Sequence, residues 1–500
     1  MISAPDSLRV SWSAYRAATG ARRSTAITEN YANEFSQGFL LCDNSLPERD
    51  LLAHWPMINM GHSYVLKHAP GLRIAHAVDE VNDLEVLVVG VVFGASSVTH
   101  DGAAVARRVL GVLAPGVVED QLWDYIETLS GRFVVFARRK SELLVVGDPM
   151  GSSGAYWHKS DSKVFVASHT GLIALAVGGL TSNECEWVMA HPEYKSPGGK
   201  ALPALITPHD GVQEIIPNCY LSILASSVAH KRFFPRHPIR ERSVEAAYED
   251  FFESLRTETR RWLSLPEEPV LSLTSGSDSR TILAAGLDEF QKRNAVALTY
   301  HFFGSNAQTT HDDLMGANAI ALRADLRHQV LDIGALESGT SMANLYRTTF
   351  PSWARFPTLT KSLYEQLPSS SSYFVAVGGE IGTGFYRQRD DNPVTPITMA
   401  AKYTTSKFKE DPKLIEHFEE YYEYVDFAAI QGSGYDPYDL FYWEHRLGKW
   451  ASIRYAEYSL AATVALPMNS RRFINAMLSV PLSDRFNKSL YTRLFSESGM

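Results

Sequence analysis

Cysteine is scarce in this sequence: Cys42, Cys185 and Cys219 are its only three, far apart and without C-x-x-C spacing. That excludes a disulfide framework and a cysteine-based zinc site, and it fits buried structural thiols in a reducing cytoplasm. None of the sixteen histidines forms an H-x-x-x-H pair, so a zinc-binding helix is not indicated. Blocks of like charge are also missing. The 47 basic and 56 acidic residues are spread evenly and leave a net charge of -9, which disfavours a nucleic-acid partner. Residues Met1 to Arg23 mix charges with short apolar stretches and contain no continuous secretory h-region. No apolar run is long enough to cross a bilayer. The longest, Leu84–Phe93, has about half the length a spanning helix needs and is rich in valine, so it predicts a buried strand.

What is present is apolar content of 45% over 500 residues, enough for large cores and, by length, for two domains. The first half carries short β-type runs at Glu85–Phe93, Gly131–Arg138, Glu142–Val146, Lys163–Ser168 and Cys219–Ala225. Helical patterns at Ala104–Leu113 and Leu122–Leu129 lie between them, which predicts a layered α+β sandwich. From Val244 onward long amphipathic stretches such as Val244–Leu263 alternate with short apolar strands at Val270–Leu273, Ala295–Phe302 and Tyr373–Val377. Strands alternating with helices predict a doubly wound parallel sheet. The join falls at Phe233–Pro238, where two prolines interrupt both patterns, giving domains 1–235 and 236–500. The serine run Ser369–Ser372 is expected to be a loop.

Between the predicted strand Val270–Leu273 and a helix opening at Thr281 lies Thr274-Ser275-Gly276-Ser277-Asp278-Ser279. Small residues there let backbone approach an anion, the hydroxyls donate, and the helix dipole adds favourable charge. Asp278 only accepts hydrogen bonds when ionised, so it suits a Mg2+ ion bridging phosphates better than phosphate itself. A serine or aspartate before a helix is also a common N-cap.

The segment Leu273-Thr274-Ser275-Gly276-Ser277-Asp278-Ser279-Arg280 resembles the pyrophosphate loop of the asparagine synthetase family, commonly L-S-G-G-x-D-S-R. Downstream, His311-Asp312-Asp313 heads a helix whose small residues Ala317 and Ala321 run on to Ala324-Asp325-Leu326-Arg327-His328, again similar to that family. In the first half, Leu129–Phe136, Gly147–Ser152, Tyr156-Trp157 and Val166–His169 resemble its glutaminase-like domain. Thr207–Leu221 looks like that domain's closing segment, with Asn218 where glycine is usual. The resemblance covers about Leu84 to Phe495 and is weak before Leu84. It implies an N-terminal sandwich of the Ntn-hydrolase type and a C-terminal ATP-pyrophosphatase domain with added helices.

Three departures sharpen what the resemblance implies. Glutamine-hydrolysing members use an amino-terminal cysteine, but Ile2 follows Met1 here, so no glutaminase activity is expected. That departure resembles the branch of β-lactam synthetases and lasso-peptide cyclases, where the nucleophile is an amine of the substrate. The family's G-[DE]-G-x-D-E segment is matched best by Gly378-Gly379-Glu380-Ile381-Gly382-Thr383-Gly384-Phe385-Tyr386, with Thr383 and Gly384 replacing the acidic pair. Finally, Trp443–Arg446 and Leu466–Phe473 resemble a later helical segment of the family, with Asn469 near its aspartate. Lys488 falls where members carry a lysine before L-x-R, while their catalytic lysine segment lies further on; Lys488, Arg485 and Arg387 are the candidate cations, and Arg389 lies close by.

The resemblance therefore implies an ATP-dependent amide ligase that adenylates a carboxylate and passes it to an amine. ATP would be bound by Leu273–Arg280 with Gly378 and Gly379, Mg2+ by Asp278, and catalysis would rest on Glu380, Tyr386 and Lys488. Its partners would be a small-molecule or peptide substrate, delivered in some cases by another protein, with no membrane or nucleic acid. The alternatives are an ammonia-dependent asparagine synthetase, a degenerate module that binds nucleotide or partner without turnover, and a tRNA-thiolating pyrophosphatase, which the acidic charge and absent cysteine pair disfavour.

Overall fold

The computed structural model describes residues 34–43, 52–160, 163–194, 201–224, 227–303, 308–350, 356–368, 370–387 and 392–500. Up to Arg232 the chain builds two six-stranded antiparallel sheets packed face to face. In the first, Phe39–Asp43 pairs with Tyr64–His68 and Lys163–Ala167. In the second, Leu84–Phe93 pairs with Ser130–Arg139 along its whole length.

Alternation along Leu84–Phe93 explains the layering. Leu87 and Val89 meet Phe39, Leu41, Val134 and Phe136 between the sheets, whereas Val86 and Val88 face the core that the helix Gly102–Val112 covers. A strand apolar on both sides is one covered on both sides. The helix Thr170–Val177 covers the outer face of the first sheet with Leu172 and Ile173. Four layers result, two sheets between helices. The strands Met57–Met60 and Ile74–Asp79 carry no clear pattern in the sequence because they are partly exposed edges.

The second half is built on five parallel strands in the spatial order Arg327–Asp332, Val296–His301, Glu268–Ser272, Ser371–Phe374 and Thr463–Ala465. The helices Ser277–Lys292 and Gln308–Arg323 carry the chain outward in one direction. It then returns past its first strand through Ser341–Thr349 and Pro357–Gln366. Right-handed crossovers put the outward and returning helices on opposite faces. Accordingly, Ser277–Lys292 packs on Val244–Leu263 and Ser489–Ser498, while Pro357–Gln366 packs on Ser452–Ser459. The direction reverses between Glu268–Ser272 and Ser371–Phe374, where parallel sheets of this kind open a crevice at the strands' carboxyl ends.

Some local expectations change. Ser371 and Ser372 are not loop: they pair with Glu268 and Pro269 inside the sheet. The helix heading toward His328 stops at Arg323, and His328 lies on the next strand, between Asn318 and Thr299. Met1–Arg23 and Arg389 lie outside the described residues. The three cysteines are free and buried, with burial pushing the thiols of Cys42 and Cys219 up to about 12 and that of Cys185 to about 11. No described helix is long and apolar enough to cross a membrane.

The two halves meet over one continuous apolar core, in which Phe93 packs edge-on against Trp262 at 5.3 Å. Polar contacts cross the seam as well. Buried Asp148 accepts from the backbone N–H groups of Phe133, Met150, Ser152 and Ser153, from the Ser152 hydroxyl and, at 2.7 Å, from the Asn469 amide of the second half. Glu444 takes a two-pronged bond from Arg232 at 2.6 and 2.8 Å and a third from Asn218 at 3.1 Å. Asn218 has φ 69, a left-handed conformation that glycine adopts freely and asparagine tolerates, which explains why a glycine would also serve there. Glu444 belongs to a π-helical stretch, Tyr442–Ala451, whose Trp443 and Lys449 donate to backbone carbonyls of the first half.

Candidate functional site

The sequence-predicted loop follows the first strand of the parallel sheet, beside the point where the strand order reverses. The helix begins earlier than expected, at Ser277, so Asp278 lies inside its first turn rather than in the loop before it. Gly276 is the N-cap and supplies no side chain, so the N-cap role considered for serine or aspartate is not taken up. The loop hydroxyls bond inward: Thr274 Oγ1 accepts from Gly276 N–H at 3.2 Å and lies 3.1 Å from Ser279 Oγ. Ser275 donates through both its N–H and its hydroxyl to Asp313 at 2.6 Å, which ties the loop to the helix Gln308–Arg323. A Cβ at Gly316 would come within 2.7 Å of Ser275, so that close approach requires glycine. The helix's first amides, uncapped by any side chain, and its positive dipole end are left to face an anion.

Glu380 comes to the same place from the neighbouring strand. After Ser371–Phe374 the chain turns through Gly378, with φ 113, into a short 3-10 helix, Gly379–Thr383. A Cβ on Gly379 would sit 2.5 Å from Asp278 Oδ1, so the absence of a side chain there lets the carboxylate rest on the turn. Burial, then the charge of Glu380 and a hydrogen bond with it, push the Asp278 carboxyl up to about 8; Lys488 and Ser277 pull the other way. A second carboxylate this close disfavours the ionised form of Asp278. Glu380 Oε2 is buried without a partner.

The other predicted residues fall into two groups. Leu273 is buried beneath the loop, and Lys488, exposed at the left-handed start of Ser489–Ser498, acts on Asp278 through its charge. The helix it introduces braces the glycine turn, since Tyr491 donates to Gly379 O at 2.8 Å. Arg280 turns away from the crevice: its guanidinium lies 4.3 Å from the Phe495 ring centre and bonds Gly276 O. Arg387 and Arg485 are not spare cations. Arg387 is committed to Asp436 at 2.8 Å, and Arg485 to buried Asp439 at 2.6 Å. Tyr386 is buried, with its phenol bonded to Arg446, so it is not free to meet an amine directly.

Sequence reasoning missed Arg446 and the tyrosines around it. Arg446 bonds the phenols of Tyr386 and Tyr442, and Tyr442 in turn feels the charge of Glu380. The spacing Tyr442, Arg446, Trp450, Arg454, Tyr458 puts one side chain per turn on a single helical face, a signal present in the sequence.

A divalent cation fits the paired carboxylates: Asp278 and Glu380 supply two oxygen donors, one of them with an orphaned oxygen, and Mg2+ needs few carboxylates and keeps waters. Among the described residues no group of three or more histidine, cysteine, aspartate or glutamate side chains forms a metal cluster.

No protein-family model and no curated protein matches the chain. Thirty solved chains do. One is a glutamine phosphoribosylpyrophosphate amidotransferase from B. subtilis complexed with ADP and GMP, 8% identical, with a TM-score of 0.24. That match covers 63% of this chain and 66% of that one, just under two thirds of its length. Another, described as the allosteric regulatory enzyme of purine biosynthesis, is 10% identical with a TM-score of 0.25, over 64% of this chain and 83% of that one. Similarity this low assigns neither fold nor activity to the chain.

Proposed function

We propose that this chain is an ATP-dependent, AMP-forming amide ligase of the asparagine synthetase type, with an N-terminal half of the Ntn-hydrolase type kept as scaffold. The observation that carries the reading is the meeting of Asp278 and Glu380, from two adjacent parallel strands, beside an uncapped helix start at the reversal of the sheet. The family-like segment Leu273–Arg280 lies at that point.

In this reading the triphosphate of ATP lies over the first turn of Ser277–Lys292, held by backbone N–H groups of Ser277–Ser279 and the turn at Gly378-Gly379. Asp278 and Glu380 would hold Mg2+, which supplies neutralisation of phosphate charge. A substrate carboxylate attacks the α-phosphorus, pyrophosphate leaves with its electron pair, and an amine then displaces AMP from the acyl-adenylate. Lys488 adds positive charge near the departing pyrophosphate. Positioning and charge neutralisation provide most of the acceleration. Glu380, beside Asp278 and with one carboxylate oxygen unpartnered, is placed to accept a proton from the amine.

A second reading, a degenerate nucleotide-binding module, draws on one observation. The family's acidic pair has no room here: a Cβ at Gly384 would lie 2.8 Å from Phe486, at φ 60, and the Thr383 hydroxyl is tied to Glu380 O. Carboxylate-dependent ATP–pyrophosphate exchange separates the two. Exchange that needs one carboxylate and disappears in Asp278→Ala supports the ligase; ATP binding with no exchange against any carboxylate supports the module.

A further inference from the structure

Arg446 and Arg454 are half-buried on one face of Tyr442–Ser459, with Trp450 between them. Their guanidinium carbons lie 4.9 and 5.7 Å from the Trp450 ring centre, and Tyr442 and Tyr458 flank them at 5.8 and 5.4 Å. Three other withdrawn arginines have a carboxylate, Arg232 with Glu444, Arg261 with Glu258 and Arg485 with Asp439, while Arg132 and Arg471 at the seam are bonded to neutral oxygens. Among the described residues neither Arg446 nor Arg454 has one within ion-pair distance. Their neighbours are rings and neutral phenols, and Arg446 Nε is shut from solvent with no partner at all. Withdrawing guanidinium from water without an opposing charge is costly, so two on one face point to an anion supplied from outside.

The face runs along the crevice, away from the phosphate loop. Arg446 sits on the Glu380 side through Tyr386 and Tyr442, and Arg454 lies over the strand ends at Tyr300 and Tyr373. Their separation of eight residues corresponds to roughly 12 Å along an α-helix. Guanidinium forks match carboxylates in two-pronged geometry, and the rings between them favour an anion with an organic body over a hydrated phosphate.

We propose that Arg446 and Arg454 bind non-reacting carboxylates of an extended acidic substrate, an acidic peptide, whose reacting carboxylate reaches Glu380. The placement of the reacting carboxylate rests on the ligase reading; the anion site does not. The test is calorimetric titration of the full chain with tri-glutamate, tri-glutamine, inorganic triphosphate and Mg-ATP, on wild type, Arg446→Gln, Arg454→Gln and Arg454→Lys, each checked for an unchanged melting curve. Tri-glutamate is expected to bind at least tenfold tighter than tri-glutamine. Each glutamine variant should lose about tenfold of that affinity and Arg454→Lys less, with Mg-ATP and triphosphate unchanged. Equal binding of the two peptides, no binding of either, or a loss confined to triphosphate and Mg-ATP overturns the proposal. If tri-glutamate binds through the arginines while pyrophosphate exchange stays silent, the anion site stands and the ligase reading falls.

Discussion

Buried charge is handled in opposite ways at the seam and in the crevice. At the seam, Asp148 accepts six hydrogen bonds and Glu444 holds Arg232 and Asn218, so polar groups removed from water are amply repaid. In the crevice two carboxylates face each other, one oxygen of Glu380 has no partner, and two arginines have no acid. A site that will receive charged ligands keeps carboxylates waiting for them, whereas the carboxylates of the seam are satisfied, and the nitrogens left over there belong to Arg471 and Trp262. Stability should therefore depend on the seam, and ligand chemistry on the crevice.

The sharpest way to break this contrast is at Asp148. Asp148→Ala removes a buried acceptor shared by six donors, and the expected result is failure to fold or a loss of several kcal/mol, read by urea unfolding. Glu444→Gln leaves the Arg232 guanidinium buried and uncompensated, with an expected cost of about 3–5 kcal/mol in the same measurement. An unfolding midpoint within error of wild type for either would dissolve the distinction.

On the crevice side, Asp278→Asn should leave the fold intact or firmer at pH 8 while removing pyrophosphate exchange. The pH dependence has a fixed sign. The folded Asp278 carboxyl is raised from 3.8 to about 8, so the native state holds a proton that the unfolded chain has lost, and the contribution to stability falls as pH rises between about 4 and 8. The melting temperature of wild type should decline across that window relative to Asp278→Asn; parallel curves would show that the Asp278 carboxyl is not raised. The smallest effect is expected for Lys488→Ala. Its exposure limits the stability change to about 0.5 kcal/mol, while exchange should slow if its charge acts on phosphate.

The runs from Leu84 to Phe93 and Ser130 to Arg139 were legible as short apolar stretches rich in valine, and Val244 to Leu263 was legible by its helical period. The loop at Thr274–Ser279 was legible because small residues between a strand and a helix have few other uses. Glu380 could be placed beside Asp278 only by the strand order of the sheet, which no local pattern records. Arg387 and Arg485 were misjudged for the same reason: Asp436 and Asp439, which hold them, lie 49 and 46 residues away. The alternating arginine and aromatic face was visible at helical spacing, yet its lack of acids emerges only in three dimensions.

The helix from Tyr442 to Ser459 touches both regions, with Glu444 and Lys449 locked into the first half and Arg446 turned toward the crevice. Such a shared wall makes the chain indivisible to evolution as well as to the protein engineer. Discarding the first half would strip Trp443, Glu444 and Lys449 of their partners at a stroke, so neither half can be cut free without leaving buried polar groups of the other stranded.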